Sequence, residues 1–335
     1  MKKLITLIMM TLSSFLMALE TLTLDIIDFE ALINKEPQAL FQLNEALHSK
    51  GLVAISKIPG YKESVQNFIE AARAFSSLPK EVKSRSAPNR DLGEFFLGFE
   101  EGKEKFQRDD GRWVIDDLKN SYYSFVPDDP RNKWPSEIDL KAPYEAVGVL
   151  MEKVGREVME AIGLIGGKSS LPREAPFALG RMLHYRKTRE TSFENPNWCG
   201  AHFDHGLFTA LLPAAYFVDD QQIPEPEEAG LFVRLKNEKH FRKVIIPELD
   251  LLLFQVGEFA QLLSNDQIMA TEHCVKKAKG KIDRYTFALF FSVPEDFTLY
   301  SRSKLTADDR YLGQSGDACT YGFWERATFD RYIVQ

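Results

Sequence analysis

The stretch CGAHFDHGLF (199–208) holds two of the chain's six histidines and an aspartate within four positions. On an extended strand, residues two apart share a face. His202 and Asp204 are therefore expected to project together, with Phe203 and His205 on the other side. An imidazole and a carboxylate on one face supply two ligands of a 2-His-1-carboxylate site. Such a site grips Fe(II) by three protein groups and leaves three positions open for substrates and dioxygen. The third ligand must come from elsewhere, and His184, His240 and His273 are the candidates. His273, in ATEHCVKK, fits best because it directly follows a strand and turn (FAQLLSNDQ). Eleven residues further on lies DRYTFALFF, where Arg284 and Thr286 stand two apart on an otherwise apolar strand. A guanidinium pointing into an apolar interior is expensive unless an anion meets it. A dicarboxylate cosubstrate, held bidentately with a hydroxyl alongside, would be such an anion.

Each piece alone has a plainer explanation. A His-x-Asp pair often just orients a surface imidazole, a lone His before Cys is often structural, and Arg-Tyr-Thr in a strand can face solvent. The order His-x-Asp, later His, then Arg-x-Thr within a final apolar strand is what makes the set specific. Of the neighbours, His205 is expected to face away from the metal, and His184 away from the site if Tyr185 points in. Cys274 reads as a buried thiol, and Phe203, Leu207 and Phe290 as core. Tyr321, Phe323 and Trp324 are placed to close over a cavity.

The elements that must position these residues divide the chain into two textures. LTLDIIDF (22–29) reads as a short strand. A helix follows with Leu40, Leu43 and Leu47 in register and stops at Gly51. LVAIS (52–56) is a strand, and Pro59-Gly60 a turn. A second helix shows Val65, Phe68, Ile69, Ala72 and Phe75 on one face. A third runs from about Ala142 to Ile162 and is ended by Gly163 and Gly166-Gly167. The segment from Arg85 to Trp134 reads as irregular. Beyond residue 175, short apolar runs alternate with turns, which argues for a β-sandwich or closed β-structure. The acidic stretch DDQQIPEPEEAG (219–230) reads as a loop between strands.

The chain has 335 residues, 44% hydrophobic and 27% charged, with a formal charge of -7. That is a globular composition, and its mild acidity gives no reason to expect a nucleic-acid partner. Three cysteines without a Cys-x-x-Cys spacing indicate neither a disulfide framework nor a zinc knuckle. Lys2 and Lys3 precede an apolar run to Leu19, with Ala18 before a possible cut, so residues 1–19 read as a signal-like leader or anchor. The run is short for a spanning helix, and no other stretch is apolar enough to cross a bilayer. The leader suggests export or membrane attachment. The supply of Fe(II) and an oxo-acid cosubstrate suggests the cytoplasm, so location stays open.

The motifs together resemble the isopenicillin N synthase-like family of Fe(II)/2-oxoglutarate-dependent dioxygenases. LDIIDFEAL is similar to the family's opening strand, and ALHSKGLVAISKIPGYKESVQNFIEAARAFSSLPKEVK to its helix–strand–helix segment. NKWP, GAHFDHGLFTALL, LLLFQVGEFAQLLSND, TEHCV and DRYTFALFFSVP follow the family's order. The likeness spans residues 22 to about 300. It implies a mainly β fold with flanking helices, a distorted double-stranded β-helix (jelly roll) core behind an N-terminal helical region. The expected division is 1–19 leader, 20–170 N-terminal region and 171–335 jelly-roll region, folded as one compact unit. By position, the resemblance makes His202, Asp204 and His273 the iron ligands. It makes Arg284 and Thr286 the holders of the distal carboxylate of 2-oxoglutarate, with Tyr185 contacting cosubstrate or substrate. The implied activity is oxidation of a small organic molecule, hydroxylation by default, using dioxygen and releasing succinate and CO2. A monomer is expected. Thr286 stands where the family usually has Ser, and Arg186 where it usually has Pro. Two alternatives stay open: a Zn(II) hydrolase on the same site, or a binding protein that has kept the fold. Arg284 with Thr286 speaks against the first, and the intact ligand set against the second.

Overall fold

A computed structural model of the chain describes residues 20–92, 96–107, 111–163, 178–187 and 197–333. The leader (1–19), Gly166-Gly167 and the boundary drawn at 170/171 lie outside the described residues. The strands in chain order are β1 Thr21–Thr23, β2 Ile26–Asp28, β3 Leu52–Ser56, β4 Gly98–Glu101, β5 Lys105–Gln107, β6 Trp113–Ile115, β7 Lys119–Val126, β8 Ala178–Tyr185, β9 Asn197–His202, β10 Phe208–Leu211, β11 Ala215–Val218, β12 Gln221–Ile223, β13 Gly230–Arg234, β14 Arg242–Ile245, β15 Leu252–Val256, β16 Glu272–Lys276, β17 Asp283–Phe291, β18 Thr298–Tyr300 and β19 Ala318–Thr320. The helices are α1 Phe29–Ile33, α2 Pro37–Ser49, α3 Tyr61–Ser76, α4 Lys80–Lys83, α5 Lys141–Ala161, α6 Glu258–Leu263 and α7 Tyr321–Tyr332.

Two mixed sheets carry the fold. The larger runs β2-β3-β15-β10-β17-β8-β7-β4, with β11 and β12 attached through β17; the smaller runs β1-β14-β13-β16-β9. They pack face to face as an open jelly-roll sandwich rather than a closed barrel. Leu183, Tyr185, Tyr216 and Ala288 of the larger sheet meet Trp198, Cys199 and Val275 of the smaller one. Leu52, Ala54 and Leu253 meet Leu22, Leu231 and Val244 in a second interior patch.

Helices α3 and α5 cover the outer face of the larger sheet. Their helical-period residues Phe68, Ala72, Phe75, Val147, Met151, Val154 and Val158 are all buried there. Along β17, Tyr285, Phe287, Leu289 and Phe291 join this outer core, while Ala288 and Phe290 face the inner one. Phe287 sits edge-on to Phe68 and Tyr144, with ring centroids 5.0 and 4.8 Å apart. A strand covered on both faces reads as an unbroken apolar run, and DRYTFALFF is one. The polar exceptions, Arg284 and Thr286, are the inner-face positions nearest its start.

Two expectations need correction. LTLDIIDF is two strands, β1 and β2, which belong to different sheets, and its Phe29 already opens α1. The segment from Arg85 to Trp134 is not irregular, because it contains β4 to β7. The eight-residue β7 pairs with β8 along its whole length and extends the larger sheet.

Candidate functional site

His202 ends β9 and His273 lies near the start of β16. The antiparallel register of these neighbouring strands sets the two residues directly opposite each other. Their ring centroids are 4.2 Å apart. Strand β9 stops at His202, so Asp204 is not on the strand as the alternation argument supposed. It lies in the loop that turns back toward β10. That loop is pinned by backbone bonds from Glu258 N to Asp204 O (2.8 Å) and from Phe259 N to Gly206 O (3.0 Å). The crossing is close: a Cβ on Gly257 would lie 2.3 Å from the Gly206 carbonyl oxygen. Only glycine fits there, and its tightness fixes where Asp204 is presented.

The three side chains converge. Asp204 Oδ1 lies 3.7 Å from His202 Nε2 and 3.9 Å from His273 Nε2. One ligand atom from each of the three falls within 4.8 Å of the others. Both imidazoles turn Nδ1 onto the carbonyl two residues earlier, His202 onto Gly200 O (2.8 Å) and His273 onto Thr271 O (3.0 Å). With Nδ1 carrying the donated proton, each Nε2 keeps a lone pair for a metal. Burial, then the neighbouring His202, pushes the His273 pKa down to about 4, which keeps the ring in its neutral, ligating form. Asp204 is held differently. Burial opposes its ionisation, but the two imidazoles and a Thr209 hydrogen bond outweigh that and lower its pKa. Thr209 Oγ1 donates to Asp204 Oδ2 at 2.6 Å and Gln255 Nε2 at 3.2 Å, so Oδ2 is fixed and Oδ1 is free. Gln255 Nε2 also lies 2.8 Å from His273 Nδ1. Sequence reading missed both Thr209 and Gln255. Each points inward from a buried strand, β10 or β15, and a polar residue within such a run was the available signal.

Arg284, Thr286 and Tyr185 share the inner face of β17 and β8, and Arg284 pairs in register with Tyr185. Arg284 is 3% exposed; its guanidinium lies 4.8 Å from the Tyr185 ring centre and donates Nε to Tyr216 Oη at 3.2 Å. Its Nη1 is buried, with no hydrogen-bond partner among the described residues. Tyr216 donates in turn to Glu225 Oε2 (2.9 Å), which Lys243 meets at 3.0 Å through Oε1. The acidic stretch 219–230 thus reaches the guanidinium through one tyrosine. Thr286 donates its hydroxyl proton to Leu212 O at 2.7 Å. For it to hold a carboxylate, that proton must turn away from Leu212. Burial pushes the Tyr185 hydroxyl up to about 12, so it stays protonated.

Beside the triad opens a cavity of about 180 Å³ lined by His202, Asp204, Phe106, Phe290, Tyr321 and Phe329, among others. The β5–β6 hairpin covers one side: a Cβ on Gly200 would lie 2.4 Å from the Phe106 ring. Helix α7 closes another side. Trp324 Nε1 donates to His205 O at 3.1 Å, and the His205 ring meets Phe329 edge-on. Tyr321 therefore lines the cavity, whereas Trp324 is fully buried behind it and Phe323 packs on the outer core. Phe203, read as core, is 41% exposed at the rim; Leu207 is buried, and Phe290 is half-buried on the cavity wall. His184 faces away, stacked on Tyr285 and bonded to Asp283 at 2.8 Å; His240 is exposed.

Of the wall formed by β7 and β8, only Tyr185 was expected at the site. Lys119, Tyr123 and Arg181 line the cavity with Glu104 and Asp116. Lys119 Nζ contacts Glu104 at 2.7 Å and Asp116 at 3.0 Å, and Tyr123 Oη donates to Glu104 at 3.0 Å. Arg181 pairs with Glu104 and donates to Ser121 Oγ at 2.8 and 3.0 Å.

Residues 24–137 match the family model described as the N-terminal region of the non-haem dioxygenases of morphine synthesis. Three solved structures show how far the likeness extends. A 2OG-Fe(II) oxygenase family protein from Caulobacter crescentus is 20% identical over 92% of this chain and 98% of its own, with a TM-score of 0.70. The chain has the non-haem dioxygenase fold. A full-length Neurospora crassa protein solved with alpha-KG shares this dioxygenase fold at 19% identity, covering 92% of this chain and 96% of its own, with a TM-score of 0.67. The rice dioxygenase for auxin oxidation does so at 19% identity, covering 92% and 95%, with a TM-score of 0.62. No curated protein sequence matches the chain. Among the described residues, no helix is long and apolar enough to cross a membrane.

Proposed function

We propose that the chain is an Fe(II)- and 2-oxoglutarate-dependent oxygenase that oxidises a small organic molecule, hydroxylation being the expected outcome. The observation that carries this reading is the convergence of His202 Nε2, Asp204 Oδ1 and His273 Nε2, with a buried, unpartnered guanidinium nitrogen on the same interior. Two nitrogens and one carboxylate oxygen suit Fe(II). The orphaned Arg284 Nη1 suits a carboxylate that completes its hydrogen bonding. A Zn(II) hydrolase or a plain binding module would leave that nitrogen unexplained. Structural neighbours captured with alpha-KG and thymine, or with 2OG, Fe and JA, support a small-molecule substrate.

When bound, iron with 2-oxoglutarate supplies a dioxygen-dependent oxidation that converts the cosubstrate to succinate and CO2 as one oxygen atom enters the substrate. The chain's own residues provide the placement. Thr209 and Gln255 hold Asp204 so that Oδ1 faces the two imidazoles. The Gly200 and Thr271 carbonyls fix both tautomers. Arg284, clamped between Tyr185 and the Tyr216–Glu225–Lys243 chain, sets the direction in which a diacid would lie. Phe106, Phe290 and Phe329 give the cavity beside the proposed metal ligands an apolar wall.

The test is optical. Anaerobic protein given Fe(II) and 2-oxoglutarate should develop a visible metal-to-ligand charge-transfer band. His202→Ala, Asp204→Ala and His273→Ala should each abolish it, and Arg284→Ala should weaken 2-oxoglutarate binding while sparing iron. A normal band in any of the three ligand variants would overturn the assignment of that ligand.

A further inference from the structure

Among the described residues, the cavity beside the triad carries a four-charge wall: Lys119 and Arg181 against Glu104 and Asp116. The wall lies close to the metal ligands. Lys119 Nζ is 3.5 Å from Cys199 Sγ, which is 3.8 Å from His202 Nδ1. Its charges cancel. In a half-enclosed, low-dielectric space, a cancelled set neither attracts a net charge nor tolerates one cheaply. An added carboxylate would leave the four-charge wall at -1 and an added ammonium at +1; Lys105 and Glu325, which also line the cavity, are one of each sign and leave the sum unchanged.

The wall nonetheless keeps hydrogen-bonding capacity facing the space. Arg181 spends Nε and Nη2 on Ser121 and Glu104, and among the described residues its Nη1 makes no hydrogen bond. Asp116 meets Lys119 through Oδ2, and no donor among the described residues reaches its Oδ1. Both residues line the cavity. The wall thus offers one fixed N–H donor and one acceptor oxygen. The remaining lining includes Phe106, Phe290, Phe329 and Tyr332 around the space, with Lys105 and Glu325 of opposite charge.

We infer that the substrate is an uncharged, ring-containing molecule with adjacent acceptor and donor groups, as in an amide or lactam, read by Arg181 Nη1 and Asp116 Oδ1. An uncharged edge satisfies both atoms without disturbing the charge balance, and the aromatic walls take a flat body. This inference rests on the proposed function for its location beside the metal, but its test does not.

The test measures binding by ligand-observed NMR on the full chain without iron. The probes are benzamide, 2-pyridone and 2-quinolinone against benzoate, picolinate and quinoline-2-carboxylate. Wild type should bind at least one amide or lactam at least tenfold tighter than its carboxylate counterpart. Asp116→Asn leaves the wall at +1 and should move the preference toward carboxylates by at least tenfold. Arg181→Gln should weaken the amides and leave the carboxylates no better. Equal or tighter carboxylate binding by wild type, or binding of no amide or lactam, overturns the inference without need of a variant. So does an Asp116→Asn protein that remains folded by circular dichroism with an unchanged preference. If the charge-transfer band is absent while the amide preference holds, the oxygenase assignment has failed and the pocket reading stands.

Discussion

Thr209→Val separates the chemistry of the carboxylate's orientation from its identity. The substitution keeps the β-branched shape and removes only the hydroxyl that donates to Asp204 Oδ2 at 2.6 Å. A hydrogen bond to a charged acceptor contributes about 1.5–3 kcal/mol, and each ~1.4 kcal/mol is a factor of ten in binding. Removing it leaves Oδ2 with the longer Gln255 contact of 3.2 Å. The carboxylate then gains freedom to rotate Oδ1 away from the imidazoles. Divalent metal affinity should fall roughly tenfold to a hundredfold, the range expected for groups that orient a metal ligand. Anaerobic titration calorimetry with Fe(II), and with Mn(II) as an air-stable substitute, measures this directly. Thr209→Ser restores the donor and should restore affinity to within about threefold. If Thr209→Val binds metal as tightly as wild type while folded, the hydroxyl does not hold Asp204 in place and the account of the site's rigidity is wrong.

Other perturbations read other parts of the structure. Tyr216→Phe removes the hydroxyl that links Arg284 to Glu225, and should weaken 2-oxoglutarate binding about tenfold while metal affinity stays put, measured by charge-transfer titration. Gly155→Ala would set a Cβ 2.1 Å from the Phe291 ring, so α5 must lift from the sheet, with a loss of about 1–3 kcal/mol in urea unfolding. Glu104 answers to pH. Burial alone would raise its pKa, but Arg181, Lys119 and their hydrogen bonds hold it well below the usual carboxylate range. Its folded pKa is depressed, so its contribution to stability is present above the unfolded value and lost as pH falls below about 4.5. The acid limb of the stability profile should therefore be shallower in Glu104→Gln, with lower stability at neutral pH because Lys119 and Arg181 lose a partner.

What the sequence disclosed, and what it hid, follow from one physical rule. Elements whose two faces are both apolar, or cleanly apolar on one side, were legible: α3 and α5 from Phe68, Ala72, Val147 and Met151, and β17 from its apolar run. The grouping of His202, Asp204 and His273 was legible from residue type and order, although the reason given for Asp204 was not the one the fold uses. β7 stayed hidden because KNSYYSFV breaks the pattern on which strand reading depends. Its inner-face positions Lys119, Ser121 and Tyr123 are buried but belong to the charged wall. Local pattern and final structure disagree where a protein has a task other than stability. Thr209 and Gln255 were lost for the opposite reason: single polar residues in apolar runs look like noise until a partner is seen.

The meeting of His202 and His273 depends on a ladder, not on a loop. The two residues are cross-strand partners, and the strands about them carry register irregularities between His273 and Val275 and between Val275 and Lys276. Sliding β16 by a single residue against β9 would turn one imidazole to the far side of the sheet, with most backbone bonds re-formed and little change in overall shape. A chain misfolded in this way would pass tests of compactness and secondary structure. On the proposed ligand set it would still fail to take up metal, so stoichiometric iron loading would then report correct strand alignment in a preparation of this protein.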